Sequence, residues 1–300
     1  MTIAFLKNMH DVKLSSIGGK AMSLAKMFKK FPVPNGYCIG ADVFKKYSHF
    51  DDIKKRLESL DLDDIQKTKE TCKEIQEHIR CIRFDEHDAD TILKFFDELN
   101  CRYVAVRSSG TAEDLPNAAF AGQHDTYLYV DKAKLLDRII ECYSSLYSTR
   151  AVYYRDMKGI GQDVAIAVVI QEMVPSDMSG VMYTKNPTTG ADEIIIEVSH
   201  GLGEMVVSGK VDPDRIHIIG GDVDYKVGTK DKMMTLSGIT DNPKCDMHAL
   251  NDPEVQELVK YAGLLEEYFN APQDIEFAYH DGKLFILQSR NLTTIKKIKK

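Results

Sequence analysis

The sequence predicts an α+β protein of two lobes, helix-rich in its first part and strand-rich in its second. Three observations carry this expectation. Residues 50–100 are charged and place apolar side chains at helical spacing, whereas the chain beyond residue 160 breaks into short β-rich runs separated by Gly, Pro and Asp turns. Three hundred residues, 43% of them hydrophobic, are enough to bury a sizeable core. The lobes divide at about residue 172, giving segments 1–172 and 173–300.

Taken in order, Gly18-Gly19-Lys20 leads into a helix with Leu24, Met27 and Phe28 on one stripe, and Pro32 and Pro34 stop it. Residues 37–39 read as a short strand. Ile53, Leu57 and Leu60, then Ile92, Leu93 and Phe96, mark helices that cover the first lobe and carry no evident chemistry. Val104 and Val106 alternate in a strand that runs into a polar stretch, 108–123, and residues 126–130 form the next strand. Asp131 caps one long helix ending near Gly159, with Leu135, Leu136, Ile139, Ile140, Tyr143, Leu146 and Tyr147 at 3–4 spacing. Strands follow at 164–170, 180–183, 194–198 and 215–219. Pro253 sits in the first turn of a last helix, and 274–290 is a hairpin.

The bulk properties exclude several classes. A net charge of −7 and a pI near 5.7 argue against a general nucleic-acid binder, which needs a basic excess. Six cysteines with no C-x-x-C pair imply neither a zinc site nor a disulfide framework, and reduced thiols are expected. No charged-then-apolar leader and no long apolar run occur, so a soluble, cytoplasmic protein without membrane partners is expected.

Three clusters can carry chemistry. Gly18-Gly19-Lys20 at a helix start offers backbone N–H groups and an ammonium to an anion, or is a structural turn; the Walker A spacing is absent. The strand ending in Arg107 passes into Ser108-Ser109-Gly110-Thr111 and on to Phe120-Ala121-Gly122-Gln123. Such a loop either donates hydrogen bonds to phosphate beside the planar fork of Arg107, or is a polar surface loop with Arg107 in an ordinary ion pair. In the closing hairpin a three-residue loop, His280-Asp281-Gly282, would set Asp274, Glu276, Gln288 and Arg290 on one face. Ile275, Phe277, Phe285 and Leu287 would form the core face, and a two-residue turn would put Glu276 and Gln288 on opposite faces. The polar face suits a magnesium–polyphosphate site, or is merely solvated.

These segments, with Gln171-Glu172-Met173-Val174, Ser179-Gly180-Val181-Met182-Tyr183, Gly201-Leu202-Gly203-Glu204 and Leu287-Gln288-Ser289-Arg290, resemble in their order the ATP-binding domain of the phosphoenolpyruvate synthase, pyruvate phosphate dikinase and rifampin phosphotransferase family. The resemblance spans roughly residues 10–293. It implies an ATP-grasp-like fold whose lobes close on ATP. By position, Lys20, Arg107 and Arg290 would handle the phosphates as the catalytic set. Ser108, Thr111, Gly122 and Thr126 would lie along the nucleotide. Gln171, Glu172 and Val174 would belong to the hinge strand that meets adenine, and Glu276 and Gln288 would hold Mg²⁺. The implied reaction passes phosphate from ATP to a histidine of a separate carrier domain and yields AMP. Small-molecule phosphotransfer and non-catalytic nucleotide sensing are the alternatives. Two departures stand out: Ala21 and His124 replace the glycine and glutamine more usual in the family. No Thr-Ser-His segment occurs among the nine histidines, so the acceptor is expected in another chain or a missing region, with His124 and His200 as minor internal candidates.

Overall fold

The computed structural model describes residues 1–9, 11–112 and 126–292. It divides into two compact units: one of Met1–Lys29 and Asn35–Met173, the other of Lys30–Pro34 and Val174 onward.

The first unit is built from β1 (Ile3–Phe5), α1 (Leu14–Met27), β2 (Gly36–Ile39), α2 (Ala41–Ser48), α3 (Phe50–Glu58), α4 (Ile65–Arg80), α5 (Glu86–Leu99), β3 (Val104–Gly110), β4 (Thr126–Val130), α6 (Leu135–Ser145), α7 (Thr149–Met157) and β5 (Ile166–Glu172). Its sheet runs β1-β2-β5-β3-β4, every neighbouring pair antiparallel. Alternation sorts the side chains by face. Val104, Val106, Val168 and Ile170 join Tyr37 and Ile39 in a core completed by Phe44, Ile75, Ile139 and Tyr143 of the covering helices. The odd positions Ala105, Arg107 and Ser109 of β3 therefore lie on the opposite face, where α1 packs. The single long helix expected after Asp131 is two. Asp131 caps only a 3₁₀ turn, Lys132–Lys134, and Ser148 starts α7 afresh by accepting from the Ala151 N–H at 3.2 Å.

The second unit carries β6 (Met178–Tyr183), β7 (Ile194–His200), α8 (Glu204–Val207), β8 (Asp214–Ile219), β9 (Asp222–Lys226), the small hairpin β10 (Lys232–Thr235) and β11 (Gly238–Asp241), α9 (Asp252–Phe269), β12 (Gln273–His280) and β13 (Lys283–Asn291). Six strands pair in the order β13-β12-β6-β7-β8-β9, all antiparallel. Helix α9 opens with a full capping box, Asn251 and Glu254 each bonding the other's backbone N–H, with Pro253 in its first turn. It packs on β12. At the other end of the sheet, Asp214 is wholly buried and accepts from Lys230 Nζ, Tyr225 Oη and the N–H groups of Gly228 and Ala249. That network gives the β8–β11 region a fixed polar anchor. No disulfide joins any of the six cysteines, and no described helix is long and apolar enough to cross a membrane.

Candidate functional site

In the first unit the glycine pair interrupts α1 rather than preceding it. Gly18 has φ 74° and ψ 172°, and a Cβ placed there would lie 2.3 Å from the Ser109 carbonyl oxygen. Only glycine allows this approach. The Ser109 hydroxyl then stitches the kink to β3, donating to the Ile17 carbonyl at 2.8 Å and accepting the Ala21 N–H at 3.1 Å. The residue that departs from the usual glycine, Ala21, is fully buried and supplies that bond through its backbone, which any residue provides. Lys20 is thereby held beside the strand end, its Nζ donating to the Ser108 carbonyl at 2.7 Å.

Arg107 is not on a surface loop. It is 6% exposed and donates through Nη1 to Gln171 Oε1 at 2.9 Å. Ser108 alternates to the core face, so its part in this set is the carbonyl that meets Lys20. The Thr111 hydroxyl is engaged with the backbone of Ala165, donating to its carbonyl at 3.0 Å and accepting its N–H at 3.1 Å. Thr126 is exposed and stands opposite Arg107 in the β3–β4 pair. Gly122, Gln123 and His124 lie outside the described residues. Along the strand that continues β5, the Glu172 N–H donates to the Asn35 carbonyl at 2.8 Å and the Met173 N–H to the Tyr103 carbonyl at 3.2 Å. Burial pushes the Glu172 carboxyl up, against the Asn35 hydrogen bond. Val174, the first residue of the second unit's main segment, is buried.

In the second unit the closing hairpin corrects the expected loop. The turn has two residues, Asp281 and Gly282, with φ 50° and 68°, and His280 pairs with Lys283. That register alone would put Glu276 and Gln288 out of phase. A β-bulge between Glu276 and Phe277 restores them: Phe277 pairs with Ile286, Glu276 with Gln288 and Asp274 with Arg290, so Leu287 is the extra residue. The core face also changes. Ile275 and Phe277 are fully buried as expected, but the buried apolar residues of β13 are Leu284 and Ile286, paired with Tyr279 and Phe277, while Phe285 and Leu287 are half-buried.

Register carries the polar face across the sheet. The Gln288–Glu276 pair continues through Val181 to Glu197 and Arg215, and the Arg290–Asp274 pair continues to Tyr183. Arg290 grips Asp274 Oδ2 through Nε at 2.9 Å and Nη2 at 2.5 Å. Arg215 bonds Glu197 at 3.2 Å. Burial raises the Asp274 carboxyl even with Arg290 against it, Glu276 adding to the rise. Tyr183 is pushed up to about 12 by burial and then by Asp274, Glu197 and Glu276, with Arg290 opposing. Asp274, Glu276 and Glu197 outnumber Arg290 and Arg215 by one on this face, and its carboxylate and amide oxygens are the ligand types magnesium takes. Sequence reading counted Asp274 in the polar face suited to magnesium and polyphosphate but assigned the metal only to Glu276 and Gln288; its spacing of two from Glu276 was the available signal. Tyr183 and Glu197 belong to the same surface through pairings that only the fold reveals. His200 is buried and accepts through Nδ1 from Asn242 at 3.2 Å, and burial, then Lys230 and Lys244, lower its pKa. It is a hydrogen-bonded histidine within the second unit.

Residues 14–300 match the family described as pyruvate phosphate dikinase, AMP/ATP-binding domain. The chain belongs to this family. Its α+β fold is accordingly the ATP-grasp-like nucleotide-binding fold, and its nucleotide is ATP. Among its relatives, a probable phosphoenolpyruvate synthase of Archaeoglobus fulgidus is 37% identical over 322 residues, which cover all of this chain and 43% of the relative. The phosphoenolpyruvate synthase of Pyrococcus furiosus is 34% identical, covering 96% of this chain and 43% of the relative. A rifampicin phosphotransferase of Bacillus cereus is 32% identical, covering 96% and 35% respectively. The chain therefore spans less than half the length of these relatives.

Proposed function

We propose that this chain is the ATP-handling part of a dikinase-type phosphotransferase, using Mg-ATP to phosphorylate a histidine on a separate carrier domain with AMP as the nucleotide product. The observation that carries the reading is the in-phase set Glu276, Gln288, Asp274 and Arg290 on a negatively biased sheet face, in a chain of the AMP/ATP-binding family. Glu276 and Gln288 are assigned as magnesium ligands, with Asp274 beside them holding Arg290. Lys20, Arg107 and Arg290 are assigned to the phosphates as the catalytic groups. Ser108, Thr111, Gly122, Thr126 and Gln171 are assigned to the nucleotide. With the N–H groups of Glu172 and Met173 already bonded within the first unit, base recognition falls to the Glu172 carbonyl and the Val174 N–H.

When bound, Mg²⁺ would neutralise phosphate charge and hold the oxygens in line for transfer. The side chains need only position the phosphates and stabilise the charge that develops, since phosphoryl transfer asks little covalent help of the protein. The likeness to a rifampicin phosphotransferase supports a second reading, in which the phosphate passes on to a small molecule; both readings share the first step. Incubating the chain with Mg-ATP and a histidine carrier domain should give AMP and a phosphorylated histidine. Arg290→Ala should abolish AMP formation while leaving nucleotide binding within several-fold, and Glu276→Ala should weaken Mg-ATP. Unchanged turnover in Arg290→Ala would sink the assignment.

A further inference from the structure

Gln171 is 2% exposed, and its two cross-strand neighbours are Gly36 and Ala105, the smallest residues available to flank it. The side chain is therefore not packed as a core group; it crosses diagonally on its own sheet face to Arg107. A guanidinium N–H can only donate, so the amide oxygen must face Arg107 and the amide nitrogen must point away. That nitrogen, Nε2, is shielded from solvent and has no hydrogen-bond partner among the described residues. Leaving a buried donor unmet is costly, so such a group calls for a reason.

We infer that Gln171 is the positioning residue for Arg107, its oxygen fixing the guanidinium and its Nε2 completing its hydrogen bonding on a phosphate oxygen of the bound nucleotide. The inference rests on the reading that Arg107 meets the phosphates. One amide then ties the strand that leads to the base-recognising backbone to the arginine that meets the phosphates, so the two ends of ATP are read by a single rigid strand pair, β3 and β5.

The test measures binding of Mg-ATP by calorimetry and of adenosine by NMR titration, using the whole chain. Gln171→Met, which removes acceptor and donor at similar volume, should weaken Mg-ATP at least tenfold and adenosine less than twofold. In an Arg107→Ala background the same change should cost less than it does in the parent, because only the Nε2 contact is then left to lose. Gln171→Glu keeps the acceptor for Arg107, so it should fold as the parent does. It loses the donor, so it should still weaken Mg-ATP at least tenfold; it carries the test if Gln171→Met misfolds. Parent-like Mg-ATP affinity in both variants, equal losses for ATP and adenosine, or losses that multiply with Arg107→Ala would each overturn the inference. A parent chain that binds neither probe would overturn the nucleotide reading itself and this inference with it.

Discussion

At Gly18 the backbone occupies a region of φ and ψ that side-chain-bearing residues essentially never adopt, pressed against the Ser109 carbonyl. Gly18→Ala should destabilise the first unit by about 1–3 kcal/mol from backbone strain alone. It should also displace Lys20 and weaken ATP, both readable from a thermal midpoint and a binding titration. The glycine pair was visible in the sequence and its use beside an anion was inferable. The reason for it was not, because the partner, Ser109, lies 91 residues away and its hydroxyl looks like any other in a polar loop. The same limit applies at Arg107, whose buried amide partner, Gln171, comes from another strand of the sheet.

Among the elements, the closing hairpin shows where local signals were enough and where they failed. Asp-Gly favours a two-residue turn with both residues at positive φ, and that is what forms. The requirement that Glu276 and Gln288 share a face is also met. The two are reconciled by a bulge at Leu287, which no composition or period marks, since an apolar residue inside an apolar strand gives no sign of being supernumerary. Deleting Leu287 should remove the bulge and close a regular ladder in which Gln288 and Arg290 still pair with Glu276 and Asp274. Mg-ATP binding should then stay within several-fold of the parent in protein whose circular dichroism still reports a fold. The split of the helix after Asp131 was missed for a related reason: the 3–4 apolar spacing continues across Leu146 and Tyr147, and only Ser148 signals the new start. In the second unit, Asp214→Ala should strip its partner from a wholly buried Lys230 and cost about 3–5 kcal/mol in denaturant unfolding. That buried pair was not readable from sequence, where both residues look like ordinary surface charges.

For the whole molecule, stability should fall in acid with a definite sign. Asp85 is held below its ordinary carboxylate value by Lys46, then by the Asp88 N–H and Tyr47; Glu193 by Asn186 and then His217; Asp241 by Lys232. A carboxyl depressed in the folded state adds stability that is complete above its ordinary value and is lost as pH falls through the folded one. The thermal midpoint should thus hold near neutrality and decline from about pH 4.5 downward, the ordinary value for Glu193. Asp274, raised rather than lowered, contributes with the opposite sign and softens the fall. A midpoint that rises on acidification below pH 4 would contradict this ledger of charges.

Fold class was legible because composition and periodicity change along the chain. What they could not reveal is that Lys30–Pro34 leaves the first unit for the second. In that short excursion Pro32 accepts the Ile286 N–H at 2.8 Å, and the Phe31 ring meets Tyr261 and Tyr268 of α9. The backbone therefore passes between the units three times, after Lys29, Pro34 and Met173. No single scission can release either half intact. A fragment cut at residue 174 would leave its aromatic tether behind, and a circular permutant opened there would still hold two of its three threads.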